Sequence, residues 1–382
     1  MQLNETVKLK LNKFEEQQLL TSMQLYIDTV NDIVSLALSG TDISKYSSKD
    51  VNCDLPSAIR DQIRRDAKSI VAKYRKDCHK AVLQNRVIKC KKQLDKYKNL
   101  KYKTQHVPVV HNPVMYVNNQ NFKICDNKSV EIPMFLNGKS KRIAFKTYMT
   151  DKQYETLVNA YHLGTLRIVM KNNKLYVQIA YDVPDTIAKH VGNVMGIDLG
   201  IKCPAVSYTD NGKVKFYGNG RKNKYLRRLY AYQRNKLLKQ KKMKVVNRIN
   251  NKENRVMNDI DHKISSEIIK TAVANNVTAI KMERLANIRS TTRTSRKNNH
   301  SLHSWSFYRL QAYIEYKANL AGIKVLYVNP SYTSQRCPKC GMLQHADDRH
   351  YKCNCGYKQH RDLVGAINIC VSTEFVGNRQ TA

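Results

Sequence analysis

Four of the ten cysteines stand close together. Cys337 and Cys340 lie in "CPKCG" and Cys353 and Cys355 in "CNCG", with twelve residues between the pairs. Two close thiolate pairs joined by a short loop suit a tetrahedral, structural zinc site, which has no open position for catalysis. The second pair has a single intervening residue where two to four are usual, so His345, His350 or His360 stands as an alternative for one thiolate. Cys53, Cys78, Cys90, Cys125, Cys203 and Cys370 are scattered and read as ordinary free thiols of a reducing compartment.

Three acids occupy positions that local structure does not favour. Asp198 sits between Ile197 and Leu199 in an otherwise apolar strand, where an unpaired carboxylate is costly to bury. Glu283 ends the apolar strand "VTAIKME", and Asp362 heads "DLVGAINICV" at an expected helix N-terminus. Hard divalent cations take oxygen ligands, and two such ions about 4 Å apart stabilise both oxygens of an in-line phosphoryl displacement. Plainer roles exist for each residue taken singly. Asp198 would be an acid paired to Lys or Arg, Glu283 a simple strand end, and Asp362 an N-cap.

The rest of the chain bears on what such a centre would act upon. Lys and Arg total 67 against 30 acids, a net charge of +37 in 382 residues. That excess opposes compaction unless a polyanion neutralises it, which points to nucleic acid. A ribosomal or histone-like binder is the bland form of the same reading. With 42% hydrophobic and 25% charged residues the chain is a folded protein of two or three domains. No apolar stretch approaches the roughly 20 residues that span a bilayer, and the N-terminus lacks a signal-peptide core, so a cytoplasmic, nucleoid-associated protein without membrane contact is expected.

The elements that must position these residues follow from periodicity. "ETVKLKLN" alternates as a half-buried strand. Residues 14–39 read as one helix, and a second begins at "DLPSAIRDQ" with Asp54 as N-cap and Pro56 in its first turn. On that second helix Ile59, Ile63 and Ala67 share one side, while Arg60, Arg64, Lys68 and Arg75 form a basic side that suits either solvent or phosphate. From 101 to 185 the period returns to two. Leu166, Ile168 and Met170 are expected to face Leu175, Val177 and Ile179 across a Lys171 to Lys174 turn. Three short strands over 194–217 include a "DNG" hairpin, and the basic segment after them reads as one or two long helices. There Arg227, Arg228, Lys241 and Lys242 are candidate phosphate contacts, and Tyr225, Tyr230 and Tyr232 would stack on bases or pack in the core. A strand at 277–283, an aperiodic stretch from Ile288 to Ser304 read as a lid or plain loop, a helix from Trp305 and a strand "KVLYVNP" complete the order.

"GIDLGIK", "KMERL", "TSQRCPKCG" and "HRDLVGAINI", in this order, resemble TnpB, the RNA-guided nuclease of bacterial insertion sequences and a relative of compact type V CRISPR effectors. The resemblance covers roughly residues 190–370. It implies an α/β multi-domain protein: an N-terminal wedge-type β-barrel (1–12 and 101–188) with an inserted helical recognition domain (13–100), then a C-terminal RNase H-like (RuvC) nuclease domain (189–382) with an inserted zinc ribbon (333–360). Asp198, Glu283 and Asp362 would bind catalytic Mg2+ or Mn2+, and the four cysteines structural Zn2+. The implied partners are a guide RNA from a transposon end and double-stranded target DNA, opened into an RNA–DNA heteroduplex next to a short motif. Where the family often has Asn and two alanines after the last acid, this chain has Val364, Gly365 and Ala366. The alternatives are a compact CRISPR effector with the same chemistry, a non-cleaving RNA-guided regulator, and a transposase that joins DNA ends.

Overall fold

The computed structural model describes residues 1–93, 98–136, 138–184, 191–285, 306–346 and 349–376. The chain divides into two compact units, Met1–Pro184 and Asp185–Ala382.

In the first unit, β1 (Gln2–Lys8) precedes two long helices, α1 (Lys13–Leu38) and α2 (Ser57–Lys91). The chain then runs through β2 (Val114–Val117), β3 (Lys123–Ile124), β4 (Val130–Leu136), β5 (Lys139–Phe145), α3 (Asp151–Val158), β6 (His162–Lys171) and β7 (Lys174–Asp182). A four-stranded antiparallel sheet has the order β1-β7-β6-β2, and β3-β4-β5 form a second sheet. The β6/β7 hairpin pairs Leu166 with Ile179, Ile168 with Val177 and Met170 with Leu175, the expected register. Asn172 and Asn173 both adopt positive φ, as a two-residue primed turn requires.

Helix α1 opens with a capping box in which Asn12 Oδ1 accepts from the Glu15 amide at 2.8 Å and Glu15 accepts from the Asn12 amide at 2.9 Å. Helix α2 starts two residues later than the sequence suggests. Pro56, not Asp54, holds the cap position, and no side chain caps it. Its carbonyl accepts from the Arg60 amide at 2.9 Å, and its ring fixes the extended entry. Leu19, Met23 and Tyr26 of α1, Ile59 and Ile63 of α2 and Ile168 and Val177 of the sheet share one core.

The second unit is built on a mixed sheet. Its strands are β8 (Asn193–Asp198), β9 (Ala205–Thr209), β10 (Val214–Tyr217), β11 (Val277–Glu283) and β12 (Lys324–Val328), in the order β10-β9-β8-β11-β12. The first three in sequence are antiparallel neighbours, while β8, β11 and β12 run parallel. Gly212, at φ +83°, lets the "DNG" turn close between β9 and β10. The basic segment forms two helices, α4 (Gly220–Lys239) and α5 (Met243–Ala274), and α6 (Phe307–Leu320) lies between β11 and β12. The hairpin β13 (His350–Lys352) and β14 (Lys358–His360) leads into the last helix, α7 (Arg361–Val371).

Ile264 and Ile268 of α5 and Ile314 of α6 pack against Ile197, Ile280 and Met282 of the sheet. Helix α7 touches the sheet through Gly196, where a Cβ would stand 2.3 Å from the Ala366 carbonyl oxygen and 2.4 Å from the Cys370 nitrogen. Only glycine allows that approach. The expected lid from Ile288 to Ser304 and the expected helix start at Trp305 lie outside the described residues. Among the described residues no helix is long and apolar enough to cross a membrane.

Candidate functional site

Two side-chain groups sit at the head of α7. The first is the cysteine cluster. Gly341 and Gly356, both at positive φ, close the two turns, with the Gly341 amide on the Cys337 carbonyl and the Gly356 amide on the Cys353 carbonyl, each at 2.9 Å. The thiols of Cys337, Cys340, Cys353 and Cys355 thereby come within 4.8 Å of one another. Cys337 Sγ lies 3.7 Å from Cys355 Sγ, and Cys340 Sγ 3.5 Å from Cys353 Sγ. A tetrahedron of ~2.3 Å zinc–sulfur bonds has edges of about 3.8 Å, so this cluster could hold zinc with little adjustment. No histidine is needed. The tight "CNC" closes in a shorter turn, the Gly356 amide reaching back three residues where the Gly341 amide reaches back four.

The four thiols act strongly on one another's charge. Burial pushes the Cys337 thiol up, but the Cys340 and Lys339 amides outweigh it and bring it down to about 6. Cys340 accepts from the Met342 amide, yet burial and the other three thiols drive it to about 12. One thiolate forms readily, and a full set needs a positive ion among them. Tyr351 and Val364 pack on Cys337 and Cys353, so the small core around the cluster includes a residue of α7.

The second group is the three acids. Asp198 is the last residue of β8, not an interior one, because the pairing with β9 ends there and Leu199 turns into the core. Met282 pairs with Ile197 in the parallel ladder, so Glu283 and Asp198 are the next residues on adjacent strands, both at C-terminal ends. Asp362 is the second residue of α7; His360 takes the cap, with Nδ1 accepting from the Asp362 amide at 3.3 Å. Gly365, one turn on, faces Asp198: a Cβ there would stand 2.8 Å from Asp198 Oδ2. Burial, then the negative charges of Glu283 and Asp362, hold the Asp198 carboxyl well above the usual range, against the pull of Arg349 and Arg361. Burial also raises Glu283, opposed by the Thr333 hydroxyl, which donates to Glu283 Oε1.

The acids are not closed up like the thiols. Among the described residues only the four cysteines gather within 4.8 Å. The donor set nevertheless fits a hard divalent cation. Asp362 is 6% exposed, and its Oδ2 is buried without a hydrogen-bond partner among the described residues. Its Oδ1 is held by the Arg349 guanidinium, so Oδ2 is the oxygen left open to a further cation.

Three contributors were not singled out from sequence. Thr333 orients Glu283, and Arg349 donates to Asp362 Oδ1. Asn368 on α7 donates to the Thr333 and Arg336 carbonyls, each at 2.7 Å, pinning the loop that carries Thr333. An amide on the inner face of an apolar helix was the available signal for Asn368. Thr333 and Arg349 sit in polar loops where spacing says nothing.

The candidate nucleic-acid contacts separate into two kinds. Arg64 pairs with Asp61, Lys68 with the Ser44 carbonyl and Arg60 with the Val51 carbonyl. Arg227 and Arg234 bracket Glu253 between α4 and α5, a half-buried structural pairing. Arg228, Lys241 and Lys242 are exposed, as are Tyr225 and Tyr232, whereas Tyr230 is buried.

Fold and site define an α/β protein with a preassembled thiol cluster beside carboxylates at the ends of parallel strands. Residues 178–289 match the family model OrfB of IS605, described as a probable transposase, and 307–369 match the TNB domain of Cas12f1-like proteins. A TnpB-like protein of Methanocaldococcus jannaschii is 40% identical over 149 residues, 37% of this chain and 53% of the relative. The CRISPR-associated endodeoxyribonuclease Cas12f1 of Sulfoacidibacillus thermotolerans is 30% identical over 220 residues, 53% of this chain and 51% of the relative. A putative transposase of M. jannaschii is 33% identical over 79 residues, 18% of this chain but 72% of its own length. The chain belongs to the TnpB-like family. It spans about half the length of the first two relatives. Its fold is that of a solved Cas12f1 in complex with sgRNA and target DNA, at TM-score 0.66 and 17% identity over 96% of this chain and 84% of that one.

Proposed function

We propose that the chain is an RNA-guided DNA endonuclease of the TnpB type, cutting target DNA in one RuvC-like site. The observation that carries this reading is the convergence of Asp198, Glu283 and Asp362 from two parallel strand ends and a helix start, with Gly365 clearing space beside Asp198. The β10-β9-β8-β11-β12 order, three antiparallel strands followed by two parallel ones, supports an RNase H-like core. In this reading residues 189–382 are the nuclease domain and 333–360 its zinc ribbon. Residues 1–12 and 101–188 form the wedge-type barrel, with 13–100 as recognition helices.

Asp198, Glu283 and Asp362 would hold Mg2+ or Mn2+, which when bound activates water and stabilises charge on the reacting phosphate. The chain's own part is positioning. Thr333 fixes the rotamer of Glu283, Asn368 fixes the loop bearing Thr333, and the His360 cap sets where α7 begins and hence where Asp362 points. The net charge of +37, with exposed Arg228, Lys241 and Lys242 on the basic helices, supplies salt-dependent attraction for guide and target backbones.

The test is to sequence the RNA that copurifies with the protein and then reconstitute cleavage of matched duplex DNA in Mg2+. Guide-like RNA ending in variable sequence, with cutting that follows it, is the expected result. Absence of bound RNA reduces the reading to a generic basic nuclease. The TNB-domain match favours a second reading, a compact CRISPR effector, separated by whether the guide's origin is a transposon end or a CRISPR array.

A further inference from the structure

We propose that Arg349 is a built-in counter-ion for the acid group, occupying Asp362 until a divalent cation displaces it. The inference rests on the reading of Asp198, Glu283 and Asp362 as metal ligands. Arg349 lies in the ribbon just before β13, and its carbonyl accepts from the Arg361 amide at 2.7 Å, directly beyond the pairing of His350 with His360. The ribbon hairpin therefore fixes the Arg349 backbone at the head of α7, leaving the side chain as the movable part. Its guanidinium donates to Asp362 Oδ1, while Asp362 Oδ2 is buried without a hydrogen bond.

The charges make this arrangement consequential. Asp362 is almost fully buried, and the Arg349 side chain is 28% exposed, so the pair is shielded on the Asp side and reachable from solvent on the Arg side. An ionised carboxylate left alone at that depth would cost several kcal/mol. Arginine cannot shed its proton, so the neutralising charge is permanent. Arg349 also lies near enough for its charge to act on Asp198. A divalent cation approaching these oxygens meets a positive group already bound to one of them. Loading the site thus exchanges a guanidinium for a metal, and the resting protein holds its three acids together without one. The ribbon gains a role beyond folding, since it delivers the competing cation.

The experiment measures Mn2+ binding by the full chain, zinc-loaded and free of nucleic acid, from the loss of the free Mn2+ electron paramagnetic resonance signal. Arg349→Gln should bind Mn2+ about ten-fold more tightly than wild type, while melting at lower temperature before Mn2+ is added. A residue that only braces the fold would lower the melting temperature without raising metal affinity. Equal affinity in wild type and Arg349→Gln, with Asp198→Ala abolishing binding, overturns the counter-ion role and leaves the metal site standing. Failure of both proteins to bind millimolar Mn2+ instead removes the metal-ligand reading itself. Should Arg349→Gln not fold, Arg349→Met decides: it keeps the length of the side chain without its charge, so affinity raised about ten-fold supports the proposal and unchanged affinity overturns it.

Discussion

The thiol cluster and the acid group lie at the same end of α7 and are built on opposite principles. All four thiols come from two glycine-closed turns and gather within 4.8 Å, whereas the acids come from two strand ends and a helix and do not. One thiolate among three protonated thiols meets no like charge, so folding can bring the four together before any ion arrives. Ionised carboxylates repel one another, and here each is managed separately: Glu283 by the Thr333 hydroxyl, Asp362 by Arg349, and Asp198 by a raised proton affinity. One group is drawn together and the other is held apart.

The sharpest way to break this comparison is to remove an acid and then a thiol pair. Asp198→Ala should cut guided cleavage by at least about 1,000-fold while RNA and target binding persist, as expected when a catalytic metal is lost rather than a surface contact. Gel assays of cleavage and binding in parallel check it, and undiminished cutting would remove Asp198 from the site. Replacing Cys337 and Cys340 by Ser should abolish stoichiometric zinc in metal analysis and lower the melting temperature of the 185–382 unit by roughly 10 °C or more, since structural zinc contributes folding energy directly. A protein that lacks zinc before mutation would refute the ribbon.

A smaller effect tests the space around Asp198. Gly365→Ala places a methyl group 2.8 Å from Asp198 Oδ2 and 3.1 Å from its Cγ, so the carboxylate must turn away. Cleavage should fall by about 10 to 100-fold, because misplacing a reacting group by about 1 Å costs on that order. Zinc content should not change. Equal loss of zinc and cleavage would mean that Gly365 matters to α7 packing as a whole.

Much of this was legible in sequence where one rule governs one residue. Alternation gave the register of Leu166 to Met170 against Leu175 to Ile179, and paired cysteines marked the cluster. The carboxylates stood out because apolar strands disfavour them. Position within an element was less legible. Asp198 proves to end its strand and Asp54 to precede its helix, since pairing partners and proline geometry decide such boundaries. The long-range partners Thr333, Arg349 and Asn368 were not legible at all. Each contact joins segments 13 to 50 residues apart whose approach only the folded sheet determines.

The finest test separates the two groups by pH. Burial, then Glu283 and Asp362, raise the Asp198 pKa, so the folded protein holds that proton to higher pH than the unfolded chain does. The stability this group contributes is complete below the ordinary carboxylate range and is lost as pH rises through the raised one. Without added divalent cation, wild type should therefore melt at progressively lower temperature as pH climbs out of the carboxylate range toward the raised one. Asp198→Asn carries no charge to bury and should weaken this trend, leaving the part due to Glu283 and melting about 2–4 °C above wild type at the upper end for each kcal/mol relieved. Millimolar Mn2+ should reverse the order, because a cation stabilises only the protein that can present the ionised carboxylate. Asp198→Asn melting at or below wild type without metal would show that ionising Asp198 costs the folded protein no stability, and the contrast with the thiols would fail on the carboxylate side.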